Sequence, residues 1–226
     1  MVTISDNLQA VRTRIAQAAA AANRLPHSIL LLAVSKTFGA AEIEQAWRAG
    51  QRAFGENFVQ EGVTKITSLS TLAIEWHFIG PLQSNKTRPV AEHFAWVHSI
   101  EREKIARRLN DARSPQLPPL NVLIQVNVSG ESTKSGVAPG EEVALAAAIR
   151  DMPRLRLRGL MTIPEPNPDP AIQRERFARL RLLLEGLRAD HPAADTLSMG
   201  MSADLEAAIA EGSTLVRVGT AIFGNR

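Results

Sequence analysis

Eight short apolar segments alternate with helix-like segments along this 226-residue chain, and no other feature limits its fold so strongly. Strands are predicted over residues 29–35, 52–54, 74–79, 95–100, 121–128, 155–163, 196–199 and 214–218. Strands that alternate with helices are typical of parallel α/β folds, and eight such units predict a single (β/α)8 barrel, a TIM barrel. An extra N-terminal helix, capped by Ser5 or Asp6, precedes the first strand. A doubly wound open sheet is the alternative.

The proline-rich segment 114–119 is the one candidate for a domain boundary. It is predicted as a turn, because the alternation of strands and helices resumes directly after it. Residues 1–226 are therefore expected to form a single domain.

Composition restricts where the protein works and what it binds. Lys and Arg exceed Asp and Glu by only 3, and no basic run is interleaved with aromatic residues, which argues against nucleic acid. No stretch approaches the roughly 20 apolar residues of a membrane span, and the N-terminus does not resemble a signal peptide. Cysteine is absent, which suits a reducing compartment. These features predict a cytoplasmic protein that contacts no membrane.

Lys36 is the first candidate for chemistry. It ends the apolar run ILLLAVS, and the carboxyl ends of parallel strands are where barrel enzymes place their reactive groups. A solvated lysine that merely ends a strand is the alternative.

Small and hydroxyl residues follow the last two predicted strands. Ser202 is predicted to cap a helix over 202–211, and Gly219 with Thr220 follows Arg217 at the end of the eighth strand. Loops after strands seven and eight commonly bind phosphate in this fold, although an ordinary cap and turn would look similar. A lysine opposite a phosphate site predicts a phosphorylated aldehyde or ketone held as a Schiff base, either a sugar phosphate or pyridoxal phosphate.

Six segments together resemble one family: LLAVSKTF, FGENFVQE, WHFIGPLQSNK, VNVSGESTKSG, RGLMTI and LSMGMSADLEAAIAEGSTLVRVGTAIFG. They look like the pyridoxal phosphate homeostasis protein family, which is related to the N-terminal barrel of alanine racemase. The resemblance implies that Lys36 carries pyridoxal 5′-phosphate (PLP) as an aldimine and that Arg217 faces the pyridine nitrogen. It also implies phosphate contacts from Ser202, Gly219, Thr220 and the backbone near Met199 and Gly200.

Four further residues near the predicted mouth have open roles. Asn57 could bond the cofactor or cap a helix, and His77 is either a ligand contact or a packed core histidine. Lys86 and Lys134 could guide the phosphate or accept the aldehyde, but solvated lysines would look the same. The spacing of His77, His93 and His98 does not match a metal site, so no metal is assigned.

The departures from alanine racemase bear on activity. A two-base racemase needs an acid or base on each side of the cofactor, and this chain contains no tyrosine and ends directly after the eighth unit. The resulting hypothesis is a PLP carrier or buffer, predicted to be a monomer without assigned catalytic residues, that serves PLP-dependent apo-enzymes. A weak amino-acid racemase and a Schiff-base aldolase of sugar phosphates are the alternatives.

Overall fold

Eight parallel strands close into a barrel in the computed structural model, which describes residues 3–131 and 135–224. Each strand pairs with the next in sequence, and the first pairs with the last. The strands are β1 (Leu30–Val34), β2 (Ala53–Glu56), β3 (Glu75–Phe78), β4 (Trp96–Ile100), β5 (Leu120–Gln125), β6 (Leu155–Met161), β7 (Thr196–Ser198) and β8 (Leu215–Val218). The predicted barrel is confirmed, and the open sheet is excluded.

Helices surround the barrel and connect its strands. Within the described ranges the α-helices are α1 (Ile4–Ala21), α2 (Ala40–Arg48), α3 (Val59–Ser68), α4 (Thr87–His93), α5 (Glu103–Ala112), α6 (Glu142–Arg150), α7 (Pro170–Leu187), α8 (Leu205–Ala210) and α9 (Thr220–Phe223). Two short 3-10 segments, Pro26–Ser28 and Ser84–Lys86, lie in the connections. None of the helices among these residues has the length and apolar character needed to cross a membrane.

Helix ends account for the differences from the sequence-based expectation. Thr3, rather than Ser5 or Asp6, caps α1, and Asp6 completes a capping box by accepting the Thr3 backbone N–H. The prediction that Ser202 caps the eighth helix is wrong, because residues 202–204 form a turn and α8 begins at Leu205. The short helix α9, which starts at Thr220, was not predicted.

Two apolar clusters and a polar zone fill the barrel interior. Leu32, Ala53, Ile79 and Leu215 pack together on one side, and Trp96, Leu123 and Met161 pack on the other. Buried histidine, serine and arginine side chains from β3, β4, β7 and β8 lie in the same interior. The alternate residues of each strand face outward into the larger core beneath the helices.

The additional helix α1 covers the outside of the last unit. It packs against α2, α8 and α9, and the Asn7 amide donates to the carbonyl of Ile222 at 2.9 Å. Arg14 forms a paired contact with the Glu206 carboxylate and also donates to the carbonyl of Ser202 at 2.8 Å. The helix therefore supports the loop that follows β7.

Candidate functional site

Most of the proposed site residues follow four neighbouring strands, β7, β8, β1 and β2, at the carboxyl end of the barrel, which we call the mouth. Arg217 pairs with Leu32, an interior residue of β1, and Lys36 continues the spacing of Leu32 and Val34 beyond the end of that strand. Lys36 itself is exposed. An amine at the rim and a guanidinium deeper in the barrel therefore share one opening.

Arg217 is fixed by three hydrogen bonds. Its Nη1 donates to the carbonyl and to the hydroxyl of Ser198, both at 2.7 Å, and its Nη2 donates to the carbonyl of Thr162 at 2.8 Å. Burial lowers the pKa of Arg217 to about 10, with Asp204 opposing that shift, so the guanidinium remains charged at neutral pH. A guanidinium has five N–H donors, and the three bonds to described residues use three of them.

A line of hydrogen bonds crosses the barrel interior from Arg217 to Glu75. We call it the histidine line. The Ser198 hydroxyl lies 3.0 Å from Nδ1 of His98, whose Nε2 lies 2.9 Å from Nδ1 of His77. The Nε2 of His77 lies 2.9 Å from the Glu75 carboxylate. A carboxylate only accepts, so Nε2 of His77 donates to Glu75. With both imidazoles neutral, as burial favours, each ring then carries its proton on Nε2 and the Ser198 hydroxyl donates to Nδ1 of His98.

Burial is the main cause of the altered titration along this line. Burial lowers the pKa of His77, although the bond to Glu75 opposes the shift. Burial also lowers the pKa of His98 well below its usual range, and His77 and Arg217 add to that effect. The His77 ring stacks on Trp96 at 5.3 Å and bonds protein groups through both nitrogens. The structure thus favours the packed core histidine among the two roles predicted for His77.

The residues predicted to hold phosphate lie where β7 and β8 end. Met199 is buried, and Gly200 adopts a φ of 94°, where an added Cβ would lie 2.5 Å from the Cβ of Ala208. Ser202 is partly exposed, and Thr220 is exposed at the start of α9 beside Gly219. A Cβ on Gly219 would lie 3.2 Å from the carbonyl of Val34 on β1. Glycine therefore lets the loop after β7 lie close to α8 and the loop after β8 lie close to β1.

Asn57 lies on the other side of Lys36, directly after β2. Its Oδ1 is buried and has no hydrogen-bond partner among the residues that the structure describes. A buried acceptor without a partner costs free energy, so this atom suits a ligand donor. Lys86 lines the same groove as Asn57 and Gln83. Lys134 lies outside the described residues.

A buried ionic cluster formed by Glu56, Glu61 and Lys65 lies beside Lys36, and we call it the Lys65 cluster. The Lys65 ammonium donates to Glu56 at 2.8 Å, to Glu61 at 2.6 Å and to the backbone carbonyl of Ser35 at 2.8 Å. Burial raises the pKa of Glu56, while bonds from Lys65 and Ser35 oppose that rise. The sequence analysis missed this cluster; its signal was the acidic and basic pair four residues apart in α3.

Known proteins resemble this chain over its full length. The family described as "Alanine racemase, N-terminal domain" matches residues 7–226. A pyridoxal phosphate homeostasis protein of Pseudomonas aeruginosa is 58% identical over 100% of this chain and 97% of its own length. The protein of that name from Escherichia coli K12 is 56% identical, over 100% of this chain and 98% of its own. This chain belongs to the pyridoxal phosphate homeostasis protein family.

Solved structures agree with that family assignment. PipY of Synechococcus elongatus PCC7942, solved with PLP bound, is 35% identical with a TM-score of 0.85 over 98% of this chain and 100% of its own. Alanine racemase of Corynebacterium glutamicum is 18% identical with a TM-score of 0.68, over 97% of this chain and 62% of its own. That second likeness shows the fold alone, as expected for a family built on the racemase barrel.

The residues at the mouth fit the cofactor named in the family. Arg217 is a charged donor, the loops after β7 and β8 contain glycines whose backbone suits an anion, and the buried Oδ1 of Asn57 suits a ligand donor. Lys36 supplies an exposed amine at the rim. In the described residues no three His, Cys, Asp or Glu side chains lie close enough together to hold a metal ion.

Proposed function

We propose that this chain binds PLP covalently through Lys36 and stores it or hands it to apo-enzymes in vitamin B6 homeostasis. The observation that carries the proposal is that Lys36 follows β1 and Arg217 lies on β8, the strand that pairs with β1. Further support comes from the PLP-bound PipY structure, which matches 98% of this chain.

Lys36 is proposed to hold the aldehyde. The neutral amine attacks the aldehyde carbon, a C=N bond forms and water leaves, so the linkage is reversible by water. Reversibility suits storage and release. Ser202, Gly219, Thr220 and the backbone at Met199 and Gly200 are proposed to bind the phosphate, and Asn57 to bond the ring side of the cofactor.

Arg217 is proposed to bond the pyridine nitrogen. PLP supplies an electron sink to enzymes that use it, and that sink is strongest when the ring nitrogen carries a proton. A guanidinium that donates to this nitrogen does not supply that proton readily. The contact therefore favours a bound but poorly reactive cofactor.

Borohydride trapping tests the covalent site. PLP added to the protein is expected to give a visible absorption band, and reduction followed by peptide mapping is expected to place the phosphopyridoxyl group on Lys36. Lys36→Ala should abolish the band. Lys104→Ala, at an exposed lysine of α5, is the matched control and should not. An adduct spread over surface lysines would reject the proposal.

Amino-acid turnover separates a carrier from a weak racemase. The sequence has no tyrosine to act as a second base, so the PLP-loaded protein is expected to racemise alanine no faster than free PLP does. Loss of optical activity that requires Lys36 would instead support the racemase. A cytoplasmic monomer remains our prediction, and light scattering of the purified protein measures the molar mass that tests the monomeric state.

A further inference from the structure

The residues on both sides of Lys36 are held by two charged side chains of α3 and by Glu56 at the end of β2. On the preceding side, the Ser35 carbonyl accepts from Lys65 at 2.8 Å, and the Ser35 hydroxyl donates to Glu56 at 2.6 Å. On the following side, the Thr37 backbone N–H donates to the Glu61 carboxylate. Lys65 joins both sides because it also bonds both carboxylates.

Thr37 has a backbone conformation that needs such support. Its φ is 70°, a left-handed value that is unfavourable for a β-branched residue. Strained backbone of this kind persists only where surrounding groups hold it, and it occurs often at functional sites. Here the group that bonds the strained residue is the Glu61 carboxylate.

The cluster is built into the fold rather than attached to its surface. The Glu56 side chain is fully buried and that of Lys65 is 8% exposed, whereas that of Glu61 is 28% exposed. The second oxygen of Glu56 has no hydrogen-bond partner among the described residues. A buried charge cluster contributes little net stability to a fold, because its charged groups lose their hydration on burial.

We propose that Glu56, Glu61 and Lys65 are positioning residues that hold Lys36 at the mouth for reaction with the aldehyde. This inference rests on the proposed function, since it assigns the cluster to the Schiff-base lysine. The cluster sets the direction in which Lys36 leaves the backbone and does not itself contact the cofactor.

Two ligands separate positioning from general support of the site. PLP can form the bond to Lys36, whereas pyridoxine 5′-phosphate carries an alcohol in place of the aldehyde and cannot. Glu61→Ala removes the acceptor for Thr37 and is expected to weaken PLP binding about tenfold, the size of one lost charge-assisted hydrogen bond. Pyridoxine 5′-phosphate binding should stay within about twofold.

Conservative and matched variants complete the test. Glu61→Gln keeps an acceptor oxygen for the Thr37 N–H, so it should retain most of the PLP affinity. Glu103→Ala removes a first-turn glutamate of α5 that also pairs with a base four residues on, Arg107, and should change neither affinity. Thermal unfolding followed by circular dichroism checks that each variant is folded.

The outcomes are distinct. An unchanged PLP affinity in Glu61→Ala, or an equal loss for both ligands, would overturn the positioning role while leaving Lys36 as the attachment site. Failure of the unmodified protein to form a borohydride-trapped adduct at Lys36 would instead reject the proposed function, and the inference with it.

Discussion

The buried side chain of Arg217 makes several hydrogen bonds inside the barrel. Its planar guanidinium donates one hydrogen bond to Thr162 and two to Ser198. The residue is only 3% exposed to water. An ammonium group has no fork of this shape, and so lysine is a poor replacement despite its charge. The geometry gives Arg217 a structural role beside its proposed cofactor contact.

Arg217→Lys is therefore expected to destabilise the protein. At least one of the three buried acceptors would lose its donor, at about 1–3 kcal/mol each. We expect a loss of roughly 2–4 kcal/mol in the free energy of unfolding, measured by urea denaturation. Arg158→Lys changes an arginine that bonds Asp195 at a more exposed place and should cost less than about 1 kcal/mol. Equal stability of the two variants would contradict this account.

The histidine line connects strands β3, β4, β7 and β8, so its protonation concerns whole elements. In the folded protein the pKa values of His77 and His98 are lowered, whereas both return to about 6.5 on unfolding. Below that value the unfolded chain binds protons that the folded barrel does not. The stability that depends on neutral imidazoles is present above pH 6.5 and is lost as the pH falls.

Urea denaturation at pH 7.5, 6.5 and 5.5 measures this effect. Below pH 6.5 the free energy of unfolding can fall by about 1.4 kcal/mol per pH unit for each histidine. The range stops at pH 5.5 because the raised pKa values of Asp204 and Glu56 act in the opposite direction at lower pH. His93→Gln replaces an exposed histidine, so its free energy of unfolding should change with pH as that of the unmodified protein does. Constant stability over this range would show that the buried imidazoles accept protons without cost.

Helix α1 is expected to influence the proposed phosphate site through Arg14. Its contact with the Ser202 carbonyl holds the loop after β7. Arg14→Ala should weaken PLP binding several-fold and lower stability by at most about 1 kcal/mol, because the ion pair with Glu206 is largely exposed. Arg107→Ala removes a comparable exposed pair in α5 and should leave PLP binding unchanged. An unaltered PLP affinity in Arg14→Ala would show that the Arg14 contact of α1 does not influence PLP binding.

At the scale of the whole molecule, the barrel was predictable because its strands are buried on both faces. The run before Lys36 reads as a strand from its apolar residues alone, and the order of units then places every strand end at one mouth. Helix starts were less predictable, since the turn at 202–204 depends on the bond from the Met201 N–H to Asp204.

The supporting groups of the site were not predictable from sequence spacing. Lys65 and Ser35 are 30 residues apart, and they meet because α3 packs on β2, the strand that pairs with β1. His98 and Ser198 are 100 residues apart and meet across the barrel interior. A local pattern identifies the residue type and its face, but the register of the closed sheet decides which side chains touch.

All hydrogen bonds of the histidine line donate in the same direction, from Arg217 toward Glu75. A carboxylate at residue 217 would favour a proton on a ring nitrogen and so strengthen the electron sink, but the Ser198 hydroxyl would then have to donate its proton to that carboxylate. His98 and His77 would then have to move their protons to Nδ1, which would leave a lone pair of His77 against the Glu75 carboxylate. Converting this scaffold to carbanion chemistry would thus require either a donor in place of Glu75, at the far end of the barrel, or a charged imidazole at His77, which burial disfavours.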